Sequence, residues 1–198
     1  ALWAQQKLIR PDNEESMIAR AEKNPFVVWK DMPQDLKNLL VSDILVRFAE
    51  QIPYAFVVVW CMKTIAAPVS ALQFGFLTTV EMIVAMLIYI PVAWLADQGN
   101  KKIYVAITFG FFTIFPLVLL FSRSFSALLF AFVIRGLKEF GEPTRKSLII
   151  DLSVENKEAS MFGLYYLLRD LVVSVAAFGG AFLWRAAPEL NLWTAFVC

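Results

Sequence analysis

Five apolar stretches, each about as long as a helix that crosses a bilayer, constrain this chain more than any other feature of its sequence. They cover residues 39–63, 69–96, 102–121, 126–151 and 160–184, and a further apolar run begins at residue 190. A transmembrane helix needs about 20 apolar residues, and helices satisfy their own backbone groups in lipid. With 59% hydrophobic and 18% charged residues, the chain is predicted to be all-α, a polytopic transmembrane helical bundle.

Composition argues against several kinds of chemistry. Histidine is absent, which excludes imidazole metal ligands and histidine-based catalytic triads, and the two cysteines, Cys61 and Cys198, have no metal-binding or disulfide spacing. Carboxylates such as Glu81, Glu139 and Glu142 are present, but no nucleophile elbow, metal pair or phosphate loop accompanies them. A net charge of +1 gives no sign of a nucleic-acid surface. We therefore expect no enzyme, no metal, no cofactor and no nucleic-acid partner.

Residues 1–38 are polar and are predicted to form a cytoplasmic connector, with Asn13 capping a short helix that ends near Lys23. The chain begins without an initiating methionine and ends inside an apolar run, so we expect an interior piece of a longer protein. Lysine and arginine concentrate on the side of the bundle that holds this connector, and the positive-inside rule then places it in the cytoplasm. The expected location is a bacterial inner membrane.

Charged residues interrupt the fourth apolar stretch, where a membrane helix normally has none. Six occur there: Arg135, Lys138, Glu139, Glu142, Arg145 and Lys146. On one continuous α-helix at 100° per residue, they share an arc about 120° wide. A charge at the bilayer centre costs at least about 2.5–3.5 kcal/mol, so such groups normally face a bundle interior or a wet cavity. The pattern predicts a buried polar seam with partners on other helices.

The first stretch has a matching charged face, because Asp43, Arg47, Glu50 and Tyr54 follow one another at helical spacing. An ion pair within the helix and a cavity-lining role both remain open, and the number of ionic groups favours the cavity. The predicted cavity set is Arg47, Glu50, Tyr54, Arg135, Lys138, Glu139 and Glu142.

Three further charged residues are candidates for ion or proton coupling. Glu81 is a lone acid in the second stretch, and it is either a coupling site or a structural partner for Arg135 or Arg169. Arg169 and Asp170 lie in the middle of the fifth stretch. Adjacent helical residues point 100° apart, so we expect these two to pair with other helices rather than with each other. The small residues at 179–181 are predicted to pack closely against a neighbouring helix.

The turn after the second stretch, AWLADQGNKK at residues 93–102, resembles the cytoplasmic signature G-x-L-A-D-R-x-G-R-K/R of the major facilitator superfamily. Ala93 replaces the first glycine, Gln98 replaces the first arginine, and the Asp-to-Gly spacing is one residue shorter. The matching positions are Asp97, Gly99, Lys101 and Lys102. A second pattern of that superfamily, R-x-x-x-G-x-G-x-x-x-P with an acidic ending, is similar to the fourth stretch. Its matching positions are Arg135, Gly136, Gly141, Pro143 and Asp151, with Gly163 in the next helix.

The resemblance covers about residues 39–198 and implies half of a 6+6 helix fold, either the C-terminal half or, as the alternative, the N-terminal one. It implies a secondary active transporter of a small solute, working by alternating access and coupled to an ion or proton. A non-transporting receptor or assembly subunit on the same scaffold is the other possibility. The implied partners are a small-molecule substrate, the lipid bilayer and the missing N-terminal six-helix half. The implied gating turn comprises Asp97, Gly99, Lys101, Lys102 and Asp151.

Overall fold

A computed structural model describes residues 24–198, and the short helix predicted between Asn13 and Lys23 lies outside the described residues. Within the described part the chain is almost entirely helical and contains no strand, which confirms the all-α prediction. The helices are α1 (Pro25–Asp31), α2 (Gln34–Tyr54), α3 (Val57–Val59, continued by a π-helical turn Trp60–Thr64), α4 (Ala71–Gln98), α5 (Lys101–Phe121), α6 (Phe125–Leu137), α7 (Glu142–Asp151), α8 (Glu158–Ala186) and α9 (Pro188–Val197). A 3-10 turn (Lys138–Gly141) joins α6 to α7.

Polar residues in the short connections begin the long helices. The Ser70 hydroxyl accepts a hydrogen bond from the Gln73 backbone N–H, and the Gln73 side chain accepts one from the Ser70 backbone N–H, which makes a capping box for α4. Asn100 caps α5 and Ser124 caps α6 through side-chain oxygens. These caps satisfy backbone donors that would otherwise be unpaired at the helix ends.

By length and composition, α4, α5 and α8 are each able to cross a membrane. The first predicted span is bent: α2 and the segment Val57–Thr64 meet at 41° and together make a fourth candidate. Pro53 in the last turn of α2 is the physical cause, because a proline inside a helix removes one backbone hydrogen bond and kinks the chain. Helix α2 also begins at Gln34 rather than at residue 39.

The fourth predicted stretch is not one continuous helix, so the prediction of a single charged face at 100° per residue was wrong beyond Leu137. The interruption lies between α6 and α7, and two glycines there approach α4 and α5 closely. A Cβ at Gly136 would lie 2.7 Å from the Glu81 carbonyl oxygen of α4, and a Cβ at Gly141 would lie 2.7 Å from the Tyr104 carbonyl oxygen of α5. The chain tightens into the 3-10 turn between these two contacts, before α7 begins with Pro143 in its first turn.

The helices pack into a bundle with two ends. The most extensive contacts join α2 to α8, α4 to α6 and α5 to α9. We call the end that holds α1, the α4–α5 turn and the α7–α8 loop the proximal end, and the opposite end the distal end. One apolar core cluster at the proximal end includes Leu36, Ile149 and Met161, and a second at the distal end includes Trp60 and Leu119. The charged residues Asp43, Arg47 and Glu50 of α2 lie between these two clusters along the bundle.

Candidate functional site

An open cleft of about 510 Å³ lies between α2, the 3-10 turn, α7 and α8. Its walls are formed by Arg47, Glu50, Gln51, Tyr54, Lys138, Glu139, Glu142, Arg145, Arg169, Asp170 and Val173. The structure thus brings together six of the seven residues of the predicted cavity set, and Arg135 is the exception. Two of the three coupling candidates line the same cleft. Residues far apart in sequence meet there because α2 packs along α8, and because the side chains of Lys138 and Glu142 reach Glu50 and Arg47 of α2.

An ion pair between Asp43 and Arg145 lies at the buried end of the cleft, and these side chains are 0% and 2% exposed. Arg145 donates a hydrogen bond to Asp43 and two more, both at 2.6 Å, to the carboxylate oxygens of Glu142. The Tyr165 hydroxyl donates to Asp43 Oδ2 at 3.1 Å. Our predicted site omitted Asp43, Arg145 and Tyr165. Asp43 did lie on the predicted charged face of the first stretch, and that spacing was the available signal.

From this buried pair, alternating charges continue toward the open part of the cleft. Arg47 donates to Glu142 Oε2 at 2.8 Å and to Glu50 Oε2 at 3.0 Å, and Lys138 Nζ donates to Glu50 Oε1 at 2.6 Å. The Arg47 guanidinium also lies 4.6 Å from the centre of the Phe112 ring. No cluster of three or more potential metal ligands occurs within residues 24–198. The two acids in this part of the network, Glu50 and Glu142, are paired with basic side chains rather than with a metal ion.

Arg169 and Asp170 pair with each other, so the prediction that neighbours on α8 would not do so was wrong. Arg169 Nε donates to Asp170 Oδ1 at 2.7 Å. The long arginine side chain bends across the 100° between the two positions, which the rule for helical neighbours does not take into account. The same guanidinium stacks on Tyr166, 4.1 Å from the ring centre, and lies 3.6 Å from Asp43 Oδ2.

Glu81 pairs with Arg135 outside the cleft, at 3.3 Å. Both side chains are largely buried, and the guanidinium lies 5.5–5.7 Å from the ring centres of Tyr54, Phe115 and Phe132. Of the two roles that the sequence left open for Glu81, this geometry favours the structural partner of Arg135. An aromatic enclosure of this kind stabilises a cation away from water.

At the proximal end, the predicted gating turn ties α5 to α7. Lys101 Nζ donates to Asp151 Oδ2 at 2.6 Å and to the Ser147 hydroxyl at 2.8 Å. Gly99 caps the C-terminus of α4, and Lys102 is exposed in the first turn of α5. The side chain of Asp97 lies outside what the structure describes.

A second proximal contact was not predicted. Lys157 Nζ donates to Asp31 Oδ2 at 2.6 Å, and it links α1 to the loop before α8. This hydrogen bond and the Lys157 charge hold the pKa of the Asp31 carboxyl below its ordinary value of 3.8. Val28 and Met32 bury their side chains beside α8 in the proximal core. No local sequence pattern predicts an ion pair between residues as far apart as Asp31 and Lys157.

The family model described as Major Facilitator Superfamily matches residues 24–197. Comparison with curated proteins and with solved structures gives no match in either set. The family match spans almost all of the described residues, including every side chain that lines the cleft.

Proposed function

The chain belongs to the Major Facilitator Superfamily, and from that premise we propose that it carries a small solute across the membrane by alternating access, coupled to an ion or a proton. Membership makes it an integral, multi-pass membrane protein of a transporter superfamily, with the all-α fold of one half of that architecture. We further propose that it is the C-terminal half. A second six-helix half would then close the cleft from the opposite side.

The observation that carries the proposal is the gradient of exposure along the ionic network. Side-chain exposure rises from 0% at Asp43 and 2% at Arg145 to 15% at Glu50 and 19% at Arg47. At the buried end, packed side chains cover the Asp43–Arg145 ion pair almost completely. Those at the exposed end border the cleft, where a bound solute can compete for their hydrogen bonds at a lower desolvation cost.

Alternating access needs contacts that form at one end of the bundle and break when that end opens. The Lys101–Asp151 pair is our candidate, because it joins the turn after α4 to the end of α7 and is partly exposed. An exposed pair of this kind contributes about 0–1 kcal/mol, so it can break and re-form during a transport cycle. We propose that it closes the proximal end, which we assign to the cytoplasm.

The direct test is uptake into liposomes by the full-length protein, using a solute identified by a ligand-induced thermal-shift screen. Lys138→Gln removes a cleft charge, and Lys63→Gln removes the same charge from an exposed site outside both the cleft and the gating turn. We expect Lys138→Gln to abolish uptake per folded molecule and Lys63→Gln to leave it intact. Full uptake by Lys138→Gln would contradict the proposal. If that variant does not fold, Lys138→Arg, which keeps the charge, should restore both folding and uptake.

Orientation has its own test. Single cysteines introduced by Gly99→Cys and Ser124→Cys, in a background without Cys61 and Cys198, should react with an impermeant reagent from opposite sides of the membrane. Labelling of both positions from one side would contradict the proposed topology.

A non-transporting receptor on the same scaffold is the alternative function. It would bind its ligand and show no flux in any of the uptake assays.

A further inference from the structure

Glu139 differs from every other charged residue that lines the cleft. Among the described residues, no basic side chain lies within 4 Å of its carboxylate and none donates a hydrogen bond to it. The other charged residues of the lining each have an opposite charge within 4 Å: Arg47, Glu50, Lys138, Glu142, Arg145, Arg169 and Asp170. One negative charge therefore faces the cleft without a cation from this part of the chain.

The backbone explains why Glu139 has no partner. In a continuous α-helix it would follow Arg135 by four residues, a spacing that favours ion pairs. The helix ends at Leu137, however, and Arg135 turns to Glu81 of α4. The neighbouring Lys138 forms an ion pair with Glu50 of α2. Both cations nearest to Glu139 in sequence are therefore paired with carboxylates of other helices.

The groups beside Glu139 determine what would complement it. A carboxylate in the membrane interior is stabilised by a cation. Tyr54, which is 51% exposed, lines the same cleft, and its aromatic ring offers an apolar surface for packing. An anion would be repelled by Glu139, and a neutral solute would leave its charge uncompensated. A cation with an apolar part would complement both Glu139 and Tyr54.

We propose that the cleft binds an organic ammonium ion, with the positive charge at Glu139 and the apolar part against Tyr54. The identification of this ion as the transported solute rests on the proposed transport function, whereas its binding does not. The paired acids are already neutralised by the chain, which leaves Glu139 as the residue that selects the charge of the ligand.

The test is isothermal titration of the full-length protein in lipid nanodiscs with benzyltrimethylammonium, and with benzenesulfonate as an anion of similar size. We expect the cation to bind and the anion to give no signal. Glu139→Gln should weaken binding of the cation at least about tenfold, the loss expected when one ion pair at a partly buried site is removed. Glu155→Gln makes the same charge change in the exposed α7–α8 loop and should bind as the parent does.

Tighter binding of benzenesulfonate would overturn the inference, and so would unchanged binding of benzyltrimethylammonium by Glu139→Gln. If Glu139→Gln alters only the pH dependence of flux, the carboxylate holds a proton and the inference is also wrong. Thermal melting shows whether the variant folds, and if it does not, Glu139→Asp should fold and keep the preference for the cation. Binding of the cation without flux would contradict the transport proposal alone. Flux of another solute, without binding of the cation, would contradict the cation-binding inference alone.

Discussion

Helices α2, α8 and α9 meet most closely at Gly180, and this contact supports a quantitative prediction. A Cβ added at Gly180 would collide with the carbonyl oxygen of Ile52 and would lie 3.0 Å from its carbonyl carbon and 3.2 Å from its Cα. These are backbone atoms, so relief requires α2 to move. The Asn191 side chain donates to the carbonyl oxygens of Gly180 at 2.9 Å and Ile52 at 3.3 Å, and a movement would weaken both bonds.

The expected magnitude follows from three contributions to the change Gly180→Ala. Overpacking costs about 1–3 kcal/mol, and loss of one hydrogen bond from Asn191 costs about 0.5–1.5 kcal/mol. The higher helix propensity of alanine offsets up to about 1 kcal/mol. We therefore expect the free energy of unfolding to fall by about 0.5–4.5 kcal/mol.

The neighbouring glycine supplies a matched control. A Cβ at Gly179 would meet no atom within 4 Å, so Gly179→Ala should be neutral or stabilise by up to about 1 kcal/mol. The assay is reversible denaturant unfolding of each full-length variant in mixed micelles. Equal effects of the two substitutions, or a stabilised Gly180→Ala variant, would refute the packing argument.

Two shorter predictions concern the ion pairs. Arg145→Leu should lower the free energy of unfolding by about 3–5 kcal/mol because it leaves Asp43 buried without its main partner, and adding Asp43→Leu should recover much of that loss in the same assay. Because Lys157 lowers the pKa of Asp31, their contact is complete above about pH 4 and is lost only as the pH falls through the lowered value. Fluorescence of a variant whose only tryptophan is Trp29 should therefore stay constant from about pH 5 to about 8, and Asp31→Asn should abolish the acid-induced change.

Patterns within one helix were sufficient for much of the fold. Apolar length predicted α4, α5 and α8, and the polar connections supplied the caps of α4, α5 and α6. The charged residues on the first and fourth stretches pointed to a shared seam, because burying them without partners is unfavourable. That argument required no knowledge of the topology, and the structure places most of those residues in one cleft.

Contacts that depend on how helices cross were not predictable in the same way. At the 3-10 turn two glycines let the backbone approach α4 and α5, and neither approach is visible in the spacing of side chains. The pairing of Arg169 with Asp170 depends on side-chain reach rather than on helical phase. The contact between Asp31 and Lys157 joins distant segments that only the folded bundle brings together.

The most direct test of the account asks whether water reaches the cleft in the middle of the membrane. Gln51→Cys places a thiol on the cleft wall, and Leu87→Cys places one on an exposed apolar face in the middle of α4. In the full-length protein without Cys61 and Cys198, we predict that a charged, water-soluble methanethiosulfonate modifies Gln51→Cys rapidly and Leu87→Cys slowly, since a thiol in lipid does not ionise. A Gln51→Cys thiol that stays unreactive, or reacts no faster than the one at Leu87→Cys, would contradict the account.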